Sequence, residues 1–92
     1  MQPVVVKNKG ISVYPNPLKG RSLTIGFTEV NKGLNTIRLV NALGQVIFRQ
    51  TIEHDGSATT KTFVLQEKPV PGIYYLQVNN KDQSFNKNLV IE

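Results

Sequence analysis

From Ile11 to Glu92 the chain is written in short runs of alternating apolar and polar side chains, each cut off by glycine, proline, asparagine or aspartate. No stretch of about ten residues carries a helical period. A period of two puts alternate side chains on opposite faces of a strand, so each run can bury one face in a shared core. Ile11 to Tyr14 is the first run, stopped at Pro15-Asn16-Pro17, where two prolines remove backbone donors and impose an extended corner. Leu23, Ile25 and Phe27 mark the second run and Ile37 and Leu39 the third, after which Asn41-Ala42-Leu43-Gly44 turns the chain into a fourth from Gln45 to Glu53. His54-Asp55-Gly56-Ser57 reads as a hairpin turn, because Asp-Gly readily supplies the positive φ of a tight turn. Phe63 and Leu65 share a face of the fifth run, and Tyr74, Leu76 and Val78 mark the inward face of the sixth. In the seventh, Phe85, Leu89 and Ile91 share a parity with Lys87 between them. Seven runs at a spacing of roughly 8 to 12 residues predict an all-β fold, a seven-stranded immunoglobulin-like antiparallel β-sandwich.

A chain of 92 residues has room for one core, and it buries only about two-thirds of the surface its unfolded form exposes. Nearly all of its Val, Ile, Leu and Phe are therefore committed to packing, which leaves little for a deep active-site cavity. Residues 1–9 read as a lead-in from an upstream domain, since Pro3 and Asn8-Lys9-Gly10 separate Val4-Val5-Val6 from the first run, and residues 10–92 read as the domain itself. Met1 directly before an internal-looking segment reads as the start of a piece excised from a longer protein. The longest apolar run, Ile73 to Leu76, is too short to span a bilayer, so no membrane insertion is expected.

The net charge of +5 belongs to the N-terminal end, where Lys7, Lys9, Lys19 and Arg21 stand without an acid. Nucleic-acid binding wants cations interleaved with exposed aromatics or grouped on one face, and Arg21, Arg38 and Arg49 do neither; no nucleic-acid partner is expected.

The absence of cysteine removes disulfides, thiolate nucleophiles and the common zinc frameworks together. The single histidine, His54, stands beside Asp55, but a metal hydrolase needs further ligands than acids scattered at 29, 53, 55, 67, 82 and 92 can supply. It reads as a turn residue. Ser12, Ser22, Ser57 and Ser84 share that one histidine and lack a Gly-x-Ser-x-Gly turn, so no catalytic triad is expected. The glycines stand singly and no helix follows them to present its N-terminus to a phosphate. No catalytic, cofactor-binding or metal-binding residue is expected, and the residues point to a binding or interaction module. Of Tyr74-Tyr75 one ring must face the core, which leaves half of a carbohydrate platform, and Glu67 to Pro71 is the loop that would serve a small protease inhibitor.

Three landmarks in order carry a more specific resemblance: Val13-Tyr14-Pro15-Asn16-Pro17, then Leu39-Val40-Asn41-Ala42-Leu43-Gly44-Gln45-Val46, then Pro71-Gly72-Ile73-Tyr74-Tyr75-Leu76-Gln77-Val78 ahead of Lys87-Asn88-Leu89-Val90-Ile91-Glu92. In order and spacing they resemble the type A C-terminal sorting domain of the type IX, or Por, secretion system, across Ile11 to Glu92. The chain departs from that pattern at Asn41-Ala42-Leu43, where an aspartate is common, and at Asn88, where a second lysine is usual. The resemblance implies a non-catalytic C-terminal signal that directs an upstream cargo domain through the outer-membrane translocon. A surface sortase-like protease then typically removes the signal as the cargo is attached to the cell surface. It implies passage through the periplasm, then the outer-membrane surface or the medium, with the cut in the basic lead-in around Lys7 to Arg21.

The matching residues Tyr14, Pro15, Asn16, Pro17, Gly44, Gly72 and Tyr74 also have physical readings. Pro15 and Pro17 fix the corner, Asn16 can hydrogen-bond its own backbone, and Gly44 supplies a left-handed turn. Gly72 admits the Lys68-Pro69-Val70-Pro71 loop closely, and Tyr74 buries its ring while its hydroxyl seeks a backbone partner. The last strand, with Phe85, Asn86, Lys87, Asn88, Leu89, Val90 and Ile91, is the candidate for translocon recognition. At a sheet edge it would offer unpaired backbone groups, and its outward Asn86, Asn88 and Val90 would give a partner side chains to read. The competing reading is an immunoglobulin-like accessory or adhesion module that binds glycan or protein on a secreted enzyme.

Overall fold

The computed structural model describes residues 5–7 and 10–92, with side chains from Gly10 onward; of the expected lead-in, residues 1–4 and 8–9 lie outside the described residues. The alternating runs make eight strands: β1 (Val5–Lys7), β2 (Ile11–Tyr14), β3 (Ser22–Phe27), β4 (Gly33–Asn41), β5 (Val46–His54), β6 (Thr59–Val64), β7 (Gly72–Asn79) and β8 (Gln83–Ile91). Five form one sheet in the order β1-β8-β7-β4-β5, and three form the other in the order β2-β3-β6. The sheets close face to face over a core that includes Leu23, Ile25 and Phe27 of β3 and Phe85, Leu89 and Ile91 of β8. The chain is thus an all-β sandwich of immunoglobulin-like form, and its seven expected strands are β2 to β8.

Two pairings depart from the sequence reading. Val5–Lys7, expected as lead-in, lies parallel to β8 with Val5 opposite Gln83 and Lys7 opposite Phe85. The Asp55-Gly56 turn has the local chemistry expected of it: Gly56 stands at φ 88°, and Asp55 Oδ1 accepts the Ser57 hydroxyl at 2.6 Å and its N–H at 2.9 Å. Those bonds hold the Asp55 carboxyl below the usual carboxylate range. Yet the turn makes no hairpin. β5 belongs to the larger sheet and β6 to the smaller, so this turn carries the chain across the sandwich. Turn residues set local dihedral angles only; the choice of sheet follows from where the next apolar side chain finds neighbours, and Phe63 finds them opposite Leu23.

His54 also departs from expectation. It closes β5 with its side chain in the core, 3% exposed, its ring centroid 5.1 Å from that of Phe27. Neither ring nitrogen has a hydrogen-bond partner.

Candidate functional site

The β7–β8 hairpin and the segments packed along it hold every landmark of the C-terminal half. A set of side-chain amides fixes where β8 begins. Asn80 Oδ1 accepts the N–H groups of Asp82 and Gln83 at 2.9 and 2.8 Å, which closes the turn. Its Nδ2 donates to Gln83 Oε1 at 2.9 Å and to Asn35 Oδ1 at 3.0 Å, tying the turn to the start of β4. Gln83 in turn accepts from the Asn31 N–H and donates to the Glu29 carbonyl, while Asn35 donates to the carbonyls of Asn31 and Gly33. Asn35 and Gln83 are buried polar groups with their bonds made internally, as burial demands. Sequence reasoning missed this cluster. Its signal was there: both residues stand at core-facing parity, two positions before Ile37 and Phe85.

The outer edge of β8 is covered rather than open. β1 pairs along Gln83–Phe85, and the proline corner takes the other end. Asn16 Nδ2 donates to the Asn88 carbonyl at 3.1 Å, and Asn16 Oδ1 accepts the Val90 N–H at 3.0 Å, so this one side-chain amide pairs as a peptide group of a neighbouring strand would. The main chain of Leu18 continues the ladder, its N–H donating to the Val90 carbonyl at 2.7 Å and its carbonyl accepting the Glu92 N–H at 2.9 Å. Leu18 is 1% exposed and anchors the corner in the core. The expectation of an unpaired last strand is therefore corrected, and so is that of Asn16 bonding its own backbone. The peptide bonds before Pro15 and Pro17 are both cis.

With its edge covered, β8 presents its outward face. There the register sets Val90 beside Ile73, Asn88 beside Tyr75, Tyr75 beside Val40, and Val40 beside Val46. Ile73, Val46, Tyr75 and Val90 are 54%, 49%, 40% and 40% exposed, an apolar stripe that crosses four strands of the larger sheet. Asn88 is exposed at its side, whereas Asn86 and Lys87 are half-buried and Phe85, Leu89 and Ile91 lie in the core. Of the seven candidate recognition residues, the fold thus separates the outward Asn86, Asn88 and Val90 from Phe85, Leu89 and Ile91 in the core, with Lys87 half-buried on the core-facing side. Tyr14, the first landmark, is exposed on β2 in the other sheet.

The remaining landmarks shape the chain around this face. Gly44 stands at φ 86° in the turn where Asn41 Oδ1 accepts the N–H groups of Leu43 and Gln45, both at 2.9 Å. Gly72 has open space where a Cβ would stand, so it does not serve the close approach expected of it. Tyr74 points inward, 6% exposed, and its hydroxyl donates to the Val70 carbonyl at 2.5 Å. That bond pins the loop between β6 and β7. Tyr74→Phe is expected to lower stability by about 1 kcal/mol, read as a lower denaturant midpoint at unchanged slope, because Val70 is exposed and its carbonyl can take water instead.

Among the described residues no group of three His, Cys, Asp or Glu is placed to hold a metal ion. The arrangement is one of surfaces: a covered strand edge, an apolar stripe and a net positive charge. No curated protein matches the chain. The model of one protein family, described as secretion system C-terminal sorting domain, matches it over residues 12–92.

Proposed function

We propose, from the premise that this chain belongs to the family of type IX secretion system C-terminal sorting domains, that the secretion machinery reads its folded outer face along β7 and β8. Domains of this family serve as C-terminal sorting signals, which places the chain among proteins exported to the cell surface or the medium. The observation that carries the reading is the match over residues 12–92, nearly the whole sandwich. Its finer content is our own. The partner is the outer-membrane translocon, reached from the periplasm with an upstream cargo domain attached, and the domain itself does no catalysis. Because Asn16, Leu18 and β1 occupy the edge of β8, strand addition there would first have to displace them. The stripe of Val90, Ile73, Tyr75 and Val46 needs no such opening and is the surface of contact.

A surface protease removes the domain upstream of Ile11. Within the expected span Lys7 to Arg21, residue Arg21 is held in the sandwich, its carbonyl accepting the Leu65 N–H at 2.8 Å and its Nη1 donating to the Gln66 carbonyl at 2.9 Å. A cut there would open the core instead of releasing the domain whole.

The test is a fluorescent reporter carrying a signal peptide and ending in residues 1–92, expressed in a bacterium with a type IX system. Export of the reporter to the surface or medium is expected, with periplasmic retention of a twin lacking Gln83 to Glu92. Since that deletion removes core residues, a folded variant with Tyr75→Ser and Val90→Ser isolates the face, and it is expected to be retained as well. Retention of the intact fusion would sink the sorting role, while normal export of the folded face variant would sink the assignment of the stripe.

A further inference from the structure

The two ends of the larger sheet are treated differently. At one end β8 is covered by β1 and the proline corner; at the other β5 runs for nine residues with β4 on one side and, among the described residues, no segment hydrogen-bonded to its far side. Protein sheets usually blunt such edges with proline, cover or inward-pointing charge. β6, at the edge of the smaller sheet, has one of these devices: Lys61 stands opposite Ile25 at core-facing parity. β5 has none. Its core-facing Phe48 and Ile52 are only partly buried and line a groove of about 420 Å³ that opens beside Phe63 and Lys61.

The outward positions of β5 read Ile47, Arg49, Thr51 and Glu53. Within the chain neither charge has a complement across the sheet, since Arg49 faces Arg38 and Glu53 faces Leu34. The ion pair among the described residues is Lys19 with Glu92, elsewhere on the molecule. Like charges directly opposite on neighbouring strands are unfavourable, so Arg49 lacks an electrostatic partner on its inner side.

We infer that β5 is a self-pairing edge, and that a second copy of this chain adds its own β5 antiparallel across a two-fold axis at Thr51. That register sets Arg49 of each copy opposite Glu53 of the other and Thr51 opposite its counterpart, so one symmetric contact supplies both missing complements. Of the two neighbouring registers, the one centred on Gln50 sets Arg49 against Thr51 and Glu53 against Ile47, and the one centred on Ile52 sets Glu53 against Thr51 and carries Arg49 past the strand end to Asp55, so neither supplies both complements within the strand. The pairing joins two five-stranded sheets into one continuous sheet and does not depend on the sorting role. Each copy has a net charge of +5, but at physiological salt charges more than about 8 Å apart are largely screened, so the close pairs outweigh the general repulsion.

Sedimentation velocity over a concentration series at physiological ionic strength tests this. A reversible dimer is expected, weakened roughly tenfold or more by Arg49→Glu or by Glu53→Arg, because each single change replaces two attractions with two repulsions. The double variant R49E/E53R is expected to restore the dimer. Because the chain has no cysteine, Thr51→Cys provides a check that leaves both charges in place: mild oxidation is expected to give a covalent dimer, while Ser57→Cys stays monomeric. A chain that is monomeric at every concentration overturns the inference, and so does a dimer indifferent to the single reversals or not restored by the swap.

Discussion

Leu18→Ala is expected to lower the stability of the sandwich by roughly 2–5 kcal/mol, the range for truncating a fully buried leucine where the site can only partly collapse. Leu18 is 1% exposed and sits in the corner beside β8, so its loss leaves a cavity between the corner and the last strand. The main-chain bonds of Leu18 to Val90 and Glu92 do not involve the lost atoms. Asn16→Ala is the complementary variant: it removes the two amide bonds to β8 and no buried apolar group, and its cost is expected to be about 1–2 kcal/mol because these bonds are exposed and water can replace them. Equilibrium denaturation compares the two. Amide hydrogen exchange distinguishes their causes, since Asn16→Ala should accelerate exchange at Val90, whose N–H loses its acceptor, far more than at Tyr74 or Leu76 in the sheet interior. Unchanged Val90 protection would show that the Asn16 side chain does not hold the edge.

Asn35→Ala is expected to cost about 2–4 kcal/mol, as the carbonyls of Asn31 and Gly33 lose their donor and the Asn80 Nδ2 loses one acceptor. Asn35 is fully buried, donates to Asn31 and Gly33 and accepts from Asn80, so it joins the β3–β4 connection to the turn that starts β8. Asn35→Leu should not recover the loss, because the apolar side chain leaves the same polar atoms stranded. Urea unfolding of both variants measures this. Stability of Asn35→Leu equal to the parent would mean that the cluster is dispensable to packing.

These two expectations concern what was least legible in the chain. Strand positions were readable because Leu23, Ile25 and Phe27, or Tyr74, Leu76 and Val78, show a period set by each backbone segment alone. The inward placement of Tyr74 and the outward placement of Tyr75 followed from the same parity. Of the amide cluster only the core-facing parity of Asn35 and Gln83 was readable; its partners were not, for a buried asparagine at core parity looks like an interruption of the pattern until Asn31, Asn80 and Gln83 are seen to meet it. His54 misled in the opposite sense, since a residue next to Asp55-Gly56 reads as part of the turn, while β5 runs on through it and its parity with Phe48 and Ile52 carries its ring in beside Phe27.

Alternation and turn chemistry alone determined the all-β class, the seven principal strands and, for the five runs marked by Leu23, Ile37, Phe63, Tyr74 and Phe85, the face that enters the core. Only the tertiary structure decided that Asp55-Gly56 crosses between sheets, that Val5–Lys7 joins the sheet, and that the last strand is covered while β5 is open. The physical reason is range. Periodicity and turn dihedrals belong to neighbouring residues, whereas the Asn16 amide meets the peptide groups of Asn88 and Val90 across separations of 72 and 74 residues, through a match of donor and acceptor that no local pattern expresses.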